Sequence, residues 1–107
     1  MSYSVRITGE AEKDLREIYE YIAFSLLSPQ NAVAQLERLE KEISKLDDMP
    51  NRFRLYDKEP WCSRGLRLMP VDNFIVFYIP NEETKVVTVI RVMYGGRNIA
   101  KEMEKAL

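Results

Sequence analysis

The sequence predicts an α+β fold: an N-terminal strand, a helical hairpin, then a three-stranded antiparallel meander and a short C-terminal helix, all in one domain over residues 1–107. Three observations carry this. Apolar residues alternate at the start of the chain. They recur at helical spacing from residue 10 to 48. They then gather into two apolar runs within 73–94, joined by a short polar turn. A chain of 107 residues, 46% apolar and 31% charged, is enough for one core and too short for two.

Tyr3, Val5 and Ile7 alternate with Ser4, Arg6 and Thr8, the pattern of a half-buried strand. From Glu10 the period changes. Leu15, Ile18, Tyr19, Ile22 and Leu26 fall on one helical face, with Glu12, Lys13, Arg16, Glu17 and Glu20 elsewhere. Ser28-Pro29 reads as an N-cap followed by proline at the first helical position. A second helix follows, striped by Val33, Leu36, Leu39, Ile43 and Leu46. It ends at Asp47-Asp48-Met49-Pro50, because the residue before proline disfavours helical angles. Two helices joined by a short loop make an antiparallel pair that lies across a sheet as one layer on another.

Residues 50–63 read as a polar loop holding Trp61. Strands are expected at about 64–70, 73–80 and 85–94, with turns at Asp72-Asn73 and at 81–84. The middle one, Phe74-Ile75-Val76-Phe77-Tyr78-Ile79, is apolar at every position and so should be central and covered on both faces. Asn98 caps a last helix whose apolar positions are Ile99, Met103 and Leu107.

Composition excludes several function classes. No apolar run approaches the roughly 20 residues that span a bilayer, so no membrane role is expected. The start MSYSVRITGE lacks the apolar stretch of a signal peptide, and the expected location is the cytoplasm. Cys62 is the one cysteine and there is no histidine. An intrachain disulfide is therefore impossible, a zinc site is not expected, and Cys62 has no histidine to activate it as a nucleophile. No cofactor is called for. The net charge of −1 hides an asymmetry. Residues 10–48 carry ten acidic and five basic side chains, whereas 49–100 carry five acidic and eight basic. That balance argues against broad, non-specific nucleic-acid binding and leaves room for a local basic face.

Arg64 and Arg67 on the first strand of the meander, Arg91 on the last and Arg97 after it stand on or beside an apolar sheet. Their planar forks suit phosphate or carboxylate partners. Arg91 sits between Ile90 and Val92, and its expected partner is an acidic residue of a helix.

The order of elements resembles the RelE/ParE superfamily of toxins from bacterial type II toxin–antitoxin modules. The resemblance covers nearly the whole chain. It rests on Ala11-Glu12-Lys13-Asp14-Leu15, Pro50 with Arg52-Phe53, Arg67-Leu68, Asn73 to Tyr78, and Arg91-Val92-Met93-Tyr94-Gly95-Gly96-Arg97. It implies a toxin held inactive by a cognate antitoxin, an extended partner with a helical segment, and it implies two activities. ParE-like members inhibit DNA gyrase without a chemical step of their own. RelE-like members cut messenger RNA in the ribosomal A site.

Cutting RNA through the 2′-hydroxyl needs a base, an acid and positive charge for the phosphorane oxygens. RelE-like relatives use lysines, arginines and a tyrosine near the C-terminus. Carried onto this chain, Arg67 and Arg97 match the arginines and Lys58 lies in the lysine-bearing loop. The tyrosine position, six residues past Arg97, holds Met103. Tyr94 is the substitute within reach of Arg97, and Glu59 offers a carboxylate base. The plainer alternatives are a packed Tyr94 with its hydroxyl at the surface, and solvated or ion-paired arginines. The missing tyrosine, the lack of histidine and a pI near 5.6 favour the ParE-like activity. So does the ending Tyr94-Gly95-Gly96-Arg97-Asn98, which resembles the ParE-type strand end. The last helix and the groove beside the hairpin are expected to meet the antitoxin, with Ile99, Met103 and Leu107 only partly covered. The alternative is that this helix packs on its own sheet. A plain α+β interaction module without toxicity is the remaining reading.

Overall fold

A computed structural model describes residues 2–106. Its elements run β1 (Ser4–Ile7), α1 (Gly9–Glu20), a π-helical turn (Tyr21–Ser25), α2 (Pro29–Ser44), 3-10 turns at Lys45–Asp47 and Pro50–Arg52, β2 (Arg67–Val71), β3 (Phe74–Asn81), β4 (Val86–Tyr94) and α3 (Ile99–Lys105). The sheet order is β1-β4-β3-β2. The meander β2-β3-β4 is antiparallel, and β1 joins β4 in parallel by way of the helical hairpin.

Local chemistry sets the joints. Thr8 caps α1: its hydroxyl accepts from the Ala11 N–H at 3.1 Å and donates to the Ile90 carbonyl at 3.1 Å. The helix start is thereby tied to β4. Pro29 occupies the first turn of α2 as expected, but the Ser28 side chain makes no capping bond. Asp72, at φ +54°, turns β2 into β3, and its carboxylate accepts from Arg38 Nε at 2.8 Å and Gln35 Nε2 at 3.0 Å. This explains why Gln35 is buried on α2, a polar position that helical spacing alone does not place inside. Asn81 closes the next turn by accepting the Glu83 and Thr84 N–H groups.

The hairpin packs Ala11, Leu15, Leu39, Ile43 and Leu46 onto Met69, Val76, Tyr78, Val87, Val89 and Val92. Two residues expected in its stripes are outside. Val33 is exposed because Ala32, fully buried, makes the close approach one position earlier. Leu26 is exposed because the π-helical turn adds a residue and rotates the chain beyond it; Ala23 is buried instead.

The other sheet face is also covered, as the apolar character of β3 requires. The covering differs from the single helical layer expected. Tyr56, Trp61 and Leu66, from the stretch read as a polar loop, join Leu68, Phe77, Met93 and Met103 in a second core. Trp61 Nε1 donates to the Met103 carbonyl at 3.0 Å, which stitches that segment to α3. Met103 is 1% exposed, so the expectation of a partly covered stripe is corrected: α3 packs on its own sheet. Ile99 is half-buried against the same core, and Leu107 lies outside the described residues. Arg64 also departs from expectation. It lies in the turn before β2, with its guanidinium 5.2 Å from the centre of the Trp61 ring.

Candidate functional site

β4 outruns β1. The parallel strand pairs only with Val86–Val89, so Ile90–Tyr94 keeps β3 on one side and meets α1 on the other. Asp14 fills that open edge. Its carboxylate accepts the Val92 N–H at 2.9 Å and, bidentate, Arg91 Nε at 2.6 Å and Nη2 at 2.9 Å. Side-chain exposure is 7% for Asp14 and 13% for Arg91, so each charge depends on the other. A register shift opposite Phe77 and Tyr78 lies next to Arg91 and accompanies its reach toward α1. The expected acidic helix partner is therefore Asp14, and Arg91 is fixed in the structure rather than displayed.

Beside this pair, α1, the end of β4 and α3 enclose a groove. Ile18, Tyr21, Ile22, Phe74 and Tyr94 supply its apolar wall, while Glu10, Glu17, Arg97 and Lys105 rim it. Tyr94 packs edge-on to Phe74, ring centres 6.0 Å apart, and is half-exposed. Its ring lies over Gly96, where an added Cβ would come within 2.6 Å of it. The glycine is needed for that close approach. Arg97 donates to Glu102 at 3.2 Å and remains half-exposed at the groove mouth. The Glu102 carboxyl is held below its usual range, first by its hydrogen bond from Lys105 and then by the charges of Lys105, Arg97 and Arg91.

The four residues suggested for RNA cleavage do not converge. Tyr94 and Arg97 share the groove. Arg67 pairs with Tyr78, four residues along β3 from Phe74, the partner of Tyr94. That separation is about 13 Å along the strands, with about 10 Å more across them from β2 to β4. The Arg67 guanidinium is also committed, donating to the Phe53 carbonyl and, at 3.1 Å, to the Asn51 carbonyl. Next to it the Tyr78 hydroxyl donates to the Pro50 carbonyl at 2.5 Å. Arg67 thus fastens the 50–53 segment to the sheet. Lys58 is exposed at the start of the turn that covers the second core. Glu59 caps that turn, accepting the Ser63 N–H and hydroxyl at 2.8 Å each. Those bonds lower its pKa, which makes it a weaker base.

Helical spacing did not reveal the tip of the hairpin. Tyr21, Phe24, Leu26, Leu27 and Val33 make up five of the eight exposed large apolar side chains among the described residues. The signal was present as a surplus: Tyr21-Ile22-Ala23-Phe24 and Leu26-Leu27 hold more apolar residues than one helix face can bury.

The family model for the ParE toxin of the type II toxin–antitoxin system, parDE, matches residues 5–99. No curated protein matches the sequence. Among solved structures, the chain is similar to the chromosomal ParDE toxin–antitoxin system of Pseudomonas aeruginosa. There the TM-score is 0.70 and the identity 20%, over 87% of this chain and 96% of that one. An arginine double mutant of the E. coli toxin RelE in the free state gives 0.67 and 17%, with all of both chains covered. The RelBE2 toxin–antitoxin complex of Mycobacterium tuberculosis gives 0.62 and 20%, over 88% and 92%. At these identities the structures speak for the fold alone.

Proposed function

The chain belongs to the ParE toxin family of type II toxin–antitoxin systems, and from that premise we propose that it stops growth by gripping DNA gyrase rather than by cutting RNA. The observation that carries this reading is the separation of the arginines. Arg67 is tied to backbone carbonyls at one end of the sheet, and Arg97 and Tyr94 stand at the other. A phosphorane needs its base, acid and cations within a few ångströms of one another. A toxin that works by binding has no such requirement.

In the same reading a cognate antitoxin lies in the groove between α1, the end of β4 and α3. The apolar wall and mixed-charge rim suit an extended segment with a helical part. Ile99 and Met103 serve that site by holding α3 in place as one of its walls, since both are turned into the second core.

Two assays on the purified toxin test the reading. Gyrase supercoiling should be inhibited and restored by the antitoxin, and messenger RNA on programmed ribosomes should stay intact. Cleavage that disappears in Arg67→Ala or Arg97→Ala would instead establish the RelE-like activity.

A further inference from the structure

The tip of the hairpin is built to stay exposed. Continuing the α1 period would carry Leu26 inward, but the i to i−5 bond from the Leu26 N–H to the Tyr21 carbonyl, 3.0 Å, inserts a π turn. Leu27 follows at φ +52°, a left-handed conformation unfavourable for a leucine, and the residue is 83% exposed. Strain and exposed apolar surface at one place mark a binding site.

The surroundings describe the occupant. Residues 17–37 contain Glu17, Glu20 and Glu37 and no lysine or arginine. A second copy would bring like charge against like, and a nucleic acid would meet the same repulsion. Phe24, Leu27 and Val33 also stand outside the groove, whereas Tyr21 and Leu26 line it. A ligand filling the groove therefore ends beside these three residues and leaves them uncovered.

We propose that Phe24, Leu27 and Val33 form the surface by which the toxin grips its target protein, and that the matching surface is apolar and flanked by lysines or arginines. The groove and the tip then divide the work. The antitoxin occupies the first, and by lying along Tyr21 and Leu26 it blocks approach to the second. The proposal rests on the reading that the toxin acts by binding a protein.

The test is the triple variant Phe24→Gln, Leu27→Asn, Val33→Gln. All three positions are exposed, and asparagine suits a positive φ, so the fold is retained. Growth arrest is measured on induction without antitoxin, alongside antitoxin affinity, gyrase supercoiling and molecular mass in solution. The expected result is arrest by the wild type, none by the variant, at least a tenfold loss of gyrase inhibition, and antitoxin affinity within threefold. Arrest by the variant equal to wild type overturns the proposal. So does a loss of antitoxin affinity as large as the loss of arrest, which gives the tip to the antitoxin. A wild-type dimer that the variant dissolves also overturns it, since the tip is then a self-interface. If the wild type arrests growth with neither gyrase inhibition nor cleavage of messenger RNA on programmed ribosomes, and the variant does not arrest, gyrase is the wrong target and the tip grips another protein. Arrest through messenger RNA cleavage overturns the proposal together with the reading it rests on.

Discussion

Asp14 shows at the level of one residue why the groove has a fixed floor. It holds a buried guanidinium and a strand-edge N–H at once. Asp14→Ala leaves Arg91 charged and unpaired, and should cost about 3–5 kcal/mol in urea unfolding. Asp14→Ala with Arg91→Met should recover the part of that loss owed to the uncompensated charge, while the Val92 N–H stays without its acceptor. Tyr78 gives a prediction in pH. Burial pushes its hydroxyl up to about 12, with Arg67 and Arg52 opposing. The unfolded tyrosine releases its proton near 10, so between pH 10 and 12 the unfolded state binds fewer protons than the folded one. Stability should be unaffected by this group below pH 10 and fall by on the order of 2 kcal/mol as pH climbs toward 12. Tyr78→Phe should remove that alkaline fall. It should also cost about 1–2 kcal/mol at neutral pH, because the Pro50 carbonyl loses its partner. The Asp14–Arg91 pair was half legible in the sequence: an arginine between Ile90 and Val92 needs an acid, but only the fold selects Asp14 from among several on α1.

At the scale of elements, α3 and the segment before β2 are one unit. Trp61 is the sole tryptophan, and its ring and indole N–H meet Met103. Met103→Ala should destabilise the chain by about 2–4 kcal/mol and red-shift the tryptophan emission. It should not act as a simple loss of antitoxin contact. A variant of unchanged stability with weakened antitoxin binding would show that Met103 is a contact after all. The apolar face of α3 was readable from Ile99 and Met103. Its covering was not, because Tyr56 and Trp61 sit in a stretch without periodicity, where composition suggests only a polar loop. The strands fared better: the runs in 73–80 and 85–94 match β3 and β4 to within a residue, since two-sided burial leaves an unbroken apolar run. The hairpin was readable as two stripes, but the π turn that lifts Leu26 out has no pattern of its own.

Across the whole molecule, charge and placement agree. An acidic hairpin, an apolar tip, a groove of mixed charge and separated arginines all fit the proposed action on a protein target. Arg67→Ala should therefore loosen the 50–53 segment, costing about 1–2 kcal/mol, and leave target inhibition intact at temperatures where the variant is folded. On the proposed function, growth arrest comes from binding a protein target. The most direct measurement is gyrase supercoiling titrated with purified toxin at several enzyme concentrations. Inhibition whose midpoint tracks the gyrase concentration, and which the antitoxin reverses, is the predicted result. Unchanged supercoiling at tenfold molar excess of toxin, with messenger RNA cut on programmed ribosomes by the same preparation, would contradict it.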